Sequence, residues 1–250
     1  MIDIQGISKS FNGRKVLNSL SLKIPDGKTT VIIGRSGCGK SVLLKHIMRI
    51  LRPESGSILI DGQDITRLSE KEMNRLRLKM GMVFQGGALF DSLTVGENVG
   101  FGLIENTKLD KITIAKKVKE SLGLVGLGGI EDISPADLSG GMKKRVALAR
   151  AICLGPKIIL YDEPTTGVDP ITADSINDLI KDTRDKLGVT SIVVTHDMKS
   201  AYKVGDRIAM MFGGKIIKEG LIKEIQESSD SYVHQFINGL SVGPIAETSL

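Results

Sequence analysis

The stretch Gly34-Arg35-Ser36-Gly37-Cys38-Gly39-Lys40-Ser41 constrains this chain more than any other. It fits the spacing G-x-x-x-x-G-K-[ST], that of a loop whose main-chain N–H groups surround nucleotide phosphates. Gly34, Gly37 and Gly39 allow backbone geometries that a Cβ would obstruct, and they let the loop approach the phosphates closely. Lys40 supplies a positive charge for the β- and γ-phosphates, and the Ser41 hydroxyl is a candidate Mg²⁺ ligand. Thr29 to Ile33 is a β-rich apolar run entering the loop, and Ser41 to Met48, with Val42 in its first turn, leaves it with helical apolar spacing. Strand, glycine loop and helix is the order in which a helix N-terminus adds its dipole to anion binding.

At 250 residues the chain holds one large α/β domain or two small ones. Hydrophobic residues at 41% and charged residues at 25% suit a soluble protein with a real core. No run of roughly 18 or more apolar residues occurs, so no membrane span is expected. Met1-Ile2-Asp3-Ile4-Gln5 lacks the basic-then-apolar order of a signal peptide. Two cysteines, Cys38 and Cys153, imply no disulfide framework, and a reducing cytosolic setting is the simpler expectation. The net charge of +5 is compatible with a nucleic-acid or membrane-facing surface, but the lysines are scattered. With no tryptophan, three tyrosines and no basic tract interleaved with aromatics, a solvated basic surface is favoured and no nucleic acid is expected.

Residues 1–33 read as strands separated by turns at Asn12-Gly13 and Pro25-Asp26-Gly27. Phe11, beside the first turn, is either an aromatic platform for a base or a turn-covering residue. Ser57 to Ile60 and Met80 to Phe84 read as strands, the second ending at Gln85. Between them Ser69 and Glu72 form a capping box for a helix running to Leu78. Glycines punctuate residues 86–102; Asp110 to Leu122 and Met142 to Leu154 are helical, and the segment reads as a helical insertion in an otherwise α/β chain. From Lys157 strand and helix alternate: strands at 158–161, 191–194, 208–212 and 215–218, helices at 173–187 and 198–204. Such alternation predicts a mostly parallel sheet. One or two short helices are expected over 221–239, and a loosely held ending from Leu240.

Two further motifs carry chemistry. Ile158-Ile159-Leu160-Tyr161-Asp162-Glu163 ends a core strand in two acids, where ligands bind in open α/β sheets. Asp162 suits Mg²⁺ coordination, and Glu163 could polarise an attacking water as a general base. Leu138-Ser139-Gly140-Gly141-Met142 precedes a basic, alanine-rich helix. By spacing alone it is as much a serine-capped helix start as a second anion site.

Together these motifs resemble the nucleotide-binding subunit of ABC transporters, whose signature is Leu-Ser-Gly-Gly-Gln; this chain departs from it at Met142. The resemblance spans nearly the whole chain. It implies one ABC ATPase domain over residues 1–250: a P-loop α/β core (1–85 and 156–220) with an N-terminal antiparallel β subdomain, a helical subdomain (86–155) carrying the signature, and C-terminal helices and tail (221–250). It implies that ATP and Mg²⁺ are the cofactors, that Phe11 stacks on adenine, and that Gly34 to Val42 hold the phosphates. Ser41, Gln85 and Asp162 would serve the metal. Glu163 would be the base, and Lys40, His196 and Gln85 would assist it. A histidine following a strand, like His196 after Val193-Val194-Thr195, is otherwise usually structural. The resemblance also implies that Ser139, Gly140 and Gly141 face the γ-phosphate held by a second copy, and that Asp169 bridges the dimer.

Gly81 to Val99 and Leu138 to Ala151, Met142 included, are similar to the ATPases of MCE-associated, Mla-type phospholipid transporters. Phe236-Ile237-Asn238-Gly239-Leu240 also resembles that group, where the tail can reach a neighbouring subunit. The resemblance implies a pair of these ATPases at the cytoplasmic face of the inner membrane, beneath multispanning permeases and with an MCE-type lipid-binding protein. An importer ATPase for a small solute, or an ABC ATPase acting on nucleic acid or ribosomes, shares the same motifs. A P-loop kinase or GTPase leaves Ser139-Gly140-Gly141 unexplained. A non-enzymatic scaffold leaves Lys40, Asp162, Glu163 and His196 unexplained.

Overall fold

A computed structural model gives the fold of residues 1–245. In chain order the elements are β1 (Ile2–Phe11), β2 (Arg14–Ile24), β3 (Thr29–Ile33), α1 (Lys40–Ile47), β4 (Ser55–Ile60), β5 (Gln63–Asp64), α2 (Glu70–Arg77) and β6 (Met80–Val83). Then come α3 (Val95–Asn106), α4 (Lys111–Leu124), α5 (Gly140–Ile152), β7 (Ile158–Asp162), α6 (Pro170–Leu187) and β8 (Thr190–Thr195). The chain closes with α7 (Met198–Val204), β9 (Arg207–Phe212), β10 (Lys215–Leu221), α8 (Ile222–Gln226) and α9 (Ser231–Ile237). Two compact units result: Met1–Thr66 with the chain from Val194 onward, and Arg67–Val193.

In the first unit β2, β1, β4 and β5 form an antiparallel sheet in that order. The hairpin turns at Asn12 (φ 50°) and Gly13 (φ 77°), the paired positive angles that match the twist of the flanking strands. Ile4 faces Leu22 on one side and Ile58 on the other, and all three are buried, so one face of this sheet is core. β3 pairs in parallel with β9, which is antiparallel to β10. Every residue of β3 is buried, as expected of a strand covered on both faces, and the phosphate loop leaves from its end.

In the second unit β6 and β7 pair in parallel from Met80↔Ile158 to Val83↔Tyr161. A Cβ on Gly81 would lie 2.7 Å from the Ala151 carbonyl, so β6 sits flush against α5. Ser69 and Glu72 form the expected reciprocal capping box on α2. Of the glycines between 86 and 102, Gly96, Gly100 and Gly102 serve a helix from Val95 onward. A Cβ at Gly96 would come within 3.1 Å of Glu131, one at Gly100 within 3.1 Å of Val118, and one at Gly102 within 2.7 Å of Leu154. Close packing of α3, opened by the Thr94/Glu97 capping box, outweighs the low helix propensity of glycine here.

The ending is held more firmly than its composition suggests, as far as residue 245. Gln235, buried on α9, accepts from the Ile245 N–H through Oε1 (2.7 Å) and donates through Nε2 to the Leu240 (3.2 Å) and Ile245 (3.3 Å) carbonyls. Ile245 is buried in consequence. Residues 246–250, the remainder of the proposed docking tail, lie outside the described residues.

Candidate functional site

The phosphate loop is shaped by what its glycines must pass. A Cβ on Gly34 would stand 2.4 Å from the Met211 carbonyl oxygen and 2.9 Å from Cys38 Sγ. One on Gly39 would meet Val16 and Met211 at 3.0 and 2.9 Å, while Gly37, in open space, has φ 76°. Lys40 reaches back over the loop and donates to the carbonyls of Gly34 (2.7 Å) and Arg35 (3.1 Å), which draws its charge onto the phosphate seat. The N-cap of α1 is Gly39, which has no side chain to cap the helix. Ser41 and Val42 stand in its first turn, half-buried.

Arg35, Ser36, Gly37 and Cys38 border a cavity of about 620 Å³ whose opposite side is Arg14, Lys15 and Val16 from β2 and the Phe212-Gly213-Gly214 turn. That volume suits a nucleotide-sized ligand. The β2 side of this cavity was not singled out from the sequence; its only trace there is the Asn12-Gly13 hairpin that turns β2 back. Phe11 pairs with Arg14 across that hairpin and is exposed, with the Lys9 ammonium 5.6 Å from its ring centre. His196 follows the buried end of β8 and is exposed. It is fixed by its neighbours: the Asp197 N–H donates to Thr195 Oγ1 (3.1 Å), and the Asp197 carboxylate caps α7.

In the second unit the register Val83↔Tyr161 carries Gln85 and Glu163 two residues beyond the last pair, side by side in sequence register. Gln85 is exposed; Asp162 and Glu163 are buried. Glu163 has φ 48°, left-handed backbone that costs a residue with a Cβ roughly 1–2 kcal/mol. The turn is kept by the Thr166 N–H on the Glu163 carbonyl (3.3 Å), and Thr166 Oγ1 donates to Glu163 Oε2 (3.2 Å). A strained acid at a strand end, held by its surroundings, is a feature of functional sites.

Ser139 caps α5, accepting from the Met142 N–H (3.3 Å), and Gly140 beside it is exposed. The serine starts the helix, and the N-terminus beside it is exposed. A Cβ on Gly141 would lie 2.6 Å from Thr172 Cγ2. Thr172 in turn donates its hydroxyl to Asp169, whose carboxylate caps α6 through the Ile171 and Thr172 N–H groups (3.0 Å each). The Thr172 hydroxyl holds the Asp169 carboxyl below the usual carboxylate range. The signature glycines and Asp169 are thus brought together through a threonine that no sequence motif marks.

Two α5 cations also escaped the sequence reading. Lys144, buried, donates to the Gln85 carbonyl. Arg150 donates to the Ala88 (2.7 Å) and Gly87 (2.8 Å) carbonyls and lies 6.0 Å from the Phe90 ring centre. Asn98 completes the anchoring of this loop, accepting from the Phe90 N–H (2.8 Å) and donating to the Phe90 and Leu93 carbonyls. The only hint of these contacts in the sequence was the basic, alanine-rich character of the helix.

Comparison with known proteins agrees with this construction. Residues 17–166 match the family described as ABC transporter. The chain is 43% identical to the intermembrane phospholipid transport system ATP-binding protein MlaF of Haemophilus influenzae, over 98% of this chain and 93% of that protein. It is also 43% identical to the probable ribonucleotide transport ATP-binding protein mkl of Mycobacterium leprae, over 98% of this chain and 70% of that one. Among solved structures, the dimeric ATP-binding cassette MJ0796, bound to ADP and phosphate, matches with a TM-score of 0.82 at 33% identity, covering 89% of this chain and 99% of the other. The cbiO1 subunit of a Clostridium perfringens ABC transporter matches with a TM-score of 0.83 at 34% identity, covering 90% of each chain. With phosphate loop, strand-end acids and signature helix all in place, this chain belongs to the ATP-binding cassette ATPases of the ABC transporter family.

Proposed function

We propose that two copies of this chain close around two ATP molecules, and that hydrolysis reopens them to drive a separate permease that moves phospholipid between membranes. The observation that carries the catalytic half is Glu163, a buried acid held in left-handed backbone at the end of a core strand. In this reading Glu163 orients and deprotonates the attacking water, and Lys40 and His196 neutralise charge on the γ-phosphate. Phe11 stacks on adenine, and Gly34 to Val42 enclose the phosphates. Ser139, Gly140 and Gly141 complete the site of the opposite copy, with Asp169 at the interface between them. Ser41, Gln85 and Asp162 offer a hydroxyl, an amide and a carboxylate oxygen. Such a hard and incomplete donor set fits Mg²⁺, which keeps phosphate oxygens and waters in its shell. Bound there, the ion would neutralise charge on the transferring phosphate.

Among the described residues no helix is long and apolar enough to cross a membrane. We assign the membrane path to a permease that docks near the loop after Gln85, where Phe90, Phe101 and Ile104 are exposed. The lipid cargo is supported by the match to nearly the full length of MlaF and by the Met142 signature. The equal identity to the relative named for ribonucleotide transport favours a second reading, a small-solute transporter built on the same ATPase.

Glu163→Gln keeps the side chain's size and removes the base. ATP binding should persist, steady-state hydrolysis should fall at least about 100-fold, and a closed dimer should accumulate with ATP. Wild-type turnover in that variant would remove Glu163 from the role. For the cargo, the tagged chain purified from detergent-solubilised membranes should bring a multispanning permease and an MCE-type protein. A permease with a solute-binding protein would establish the second reading instead.

A further inference from the structure

We propose that Lys144 is a positioning residue for ATP hydrolysis: from the signature helix α5 its ammonium holds the Gln85 main-chain carbonyl. One buried cation would then tie the strand-end glutamine to the helix whose start is Ser139. The inference rests on the reading of Gln85 as part of the site that hydrolyses ATP.

A buried ammonium is costly unless it is paired and hydrogen-bonded. Lys144 meets the second condition within the second unit. Its Nζ donates to the Gln85 carbonyl at the end of β6. Burial pulls its ionisation down, and the Glu163 charge acts against that effect. Tyr161 and Arg145, with Lys144 itself, line a small cavity; Tyr161 is fully buried, and that burial pushes its hydroxyl pKa up. Arg145 is directed away, donating to the Val125 carbonyl (3.0 Å) and Ser175 Oγ (2.7 Å).

Arg150 grips the same loop further along, at Gly87 and Ala88, so α5 carries Gln85 and its loop as one body. The backbone adds to the fit, since a Cβ on Gly87 would touch the Lys143 carbonyl at 3.4 Å. A shift of α5 therefore displaces the Gln85 carbonyl, and Lys144 fixes where Gln85 emerges from the sheet.

Lys144→Met and Lys144→Arg in the full-length chain test this with Mg-ATP. Methionine keeps the apolar stem and loses donor and charge, whereas arginine keeps both. The Met variant should lose about tenfold in kcat with KM for ATP changed less than about threefold, because the interaction serves the chemical step and not ATP binding. The Arg variant should recover to within about threefold of the parent kcat, with melting temperatures of all three chains close together. Unchanged kcat in the Met variant would overturn the proposal. So would an equal loss in both variants accompanied by lower melting temperatures, which marks a packing role. Glu163→Gln run in parallel separates the two claims. If it is inactive while the Met variant is fully active, only the Lys144 proposal fails; if it turns over normally, the base assignment itself fails.

Discussion

The phosphate loop in the first unit and the signature region in the second both present a helix N-terminus, yet they are built by different means. At Gly34 the loop is made by backbone passing close to backbone, against the Met211 carbonyl. The signature region is made by side chains, with Thr172 set between Gly141 and Asp169 and with Lys144 and Arg150 holding the Gln85 loop. A contact between main-chain atoms cannot be relieved by a second substitution, because no side chain can be trimmed. A contact with a side chain can. Gly34 should therefore be intolerant and Gly141 repairable.

The largest effect should come from Gly34→Ala. Its Cβ would enter the Met211 carbonyl, so the loop must move, and ATP affinity should drop at least about tenfold with a lowered melting temperature. Gly37→Ala, which meets nothing within 4 Å, should show only the left-handed backbone cost of roughly 1–2 kcal/mol. Equal damage from the two would break the distinction between steric and conformational glycines. A smaller and reversible effect is expected at Gly141→Ala, where the obstacle is the Thr172 methyl. Adding Thr172→Ser removes that methyl and keeps the hydroxyl on Asp169, so turnover should return to within about threefold of the parent. Failure of the second change to restore activity would show that Gly141 is needed for its backbone after all.

The same contrast explains what the sequence makes legible. The phosphate loop, the Ser69–Glu72 capping box and α7 over Met198–Val204 follow from local pattern, because the residues that define each lie within a few positions of one another. The strand-end acids are legible too, since an apolar run ending in two carboxylates has few other uses. What local pattern hides depends on distant partners. The helix α3 was not delimited because its glycines answer to Glu131, Val118 and Leu154. Lys144 looked like part of a solvated basic helix because its partner, Gln85, lies 59 residues away along the chain. The ending looked loose because Gln235, a residue with no motif around it, is what fastens Ile245. The cavity wall of Arg14, Lys15 and Val16 was hidden for the same reason.

The central claim is that an active site is assembled from the phosphate loop of one copy and the signature helix of another. Mixing two inactive variants tests it directly. Lys40→Met removes the phosphate-binding charge, and Ser139→Glu sets a carboxylate where the opposite γ-phosphate would lie. Each variant alone should be without turnover. In a mixed dimer one composite site pairs the intact Lys40 of one copy with the intact Ser139 of the other, so ATP hydrolysis should appear on mixing and peak near equal amounts. Mixtures that stay inactive at every ratio, with dimer formation confirmed, would mean that both residues serve a site within one chain and would contradict the account.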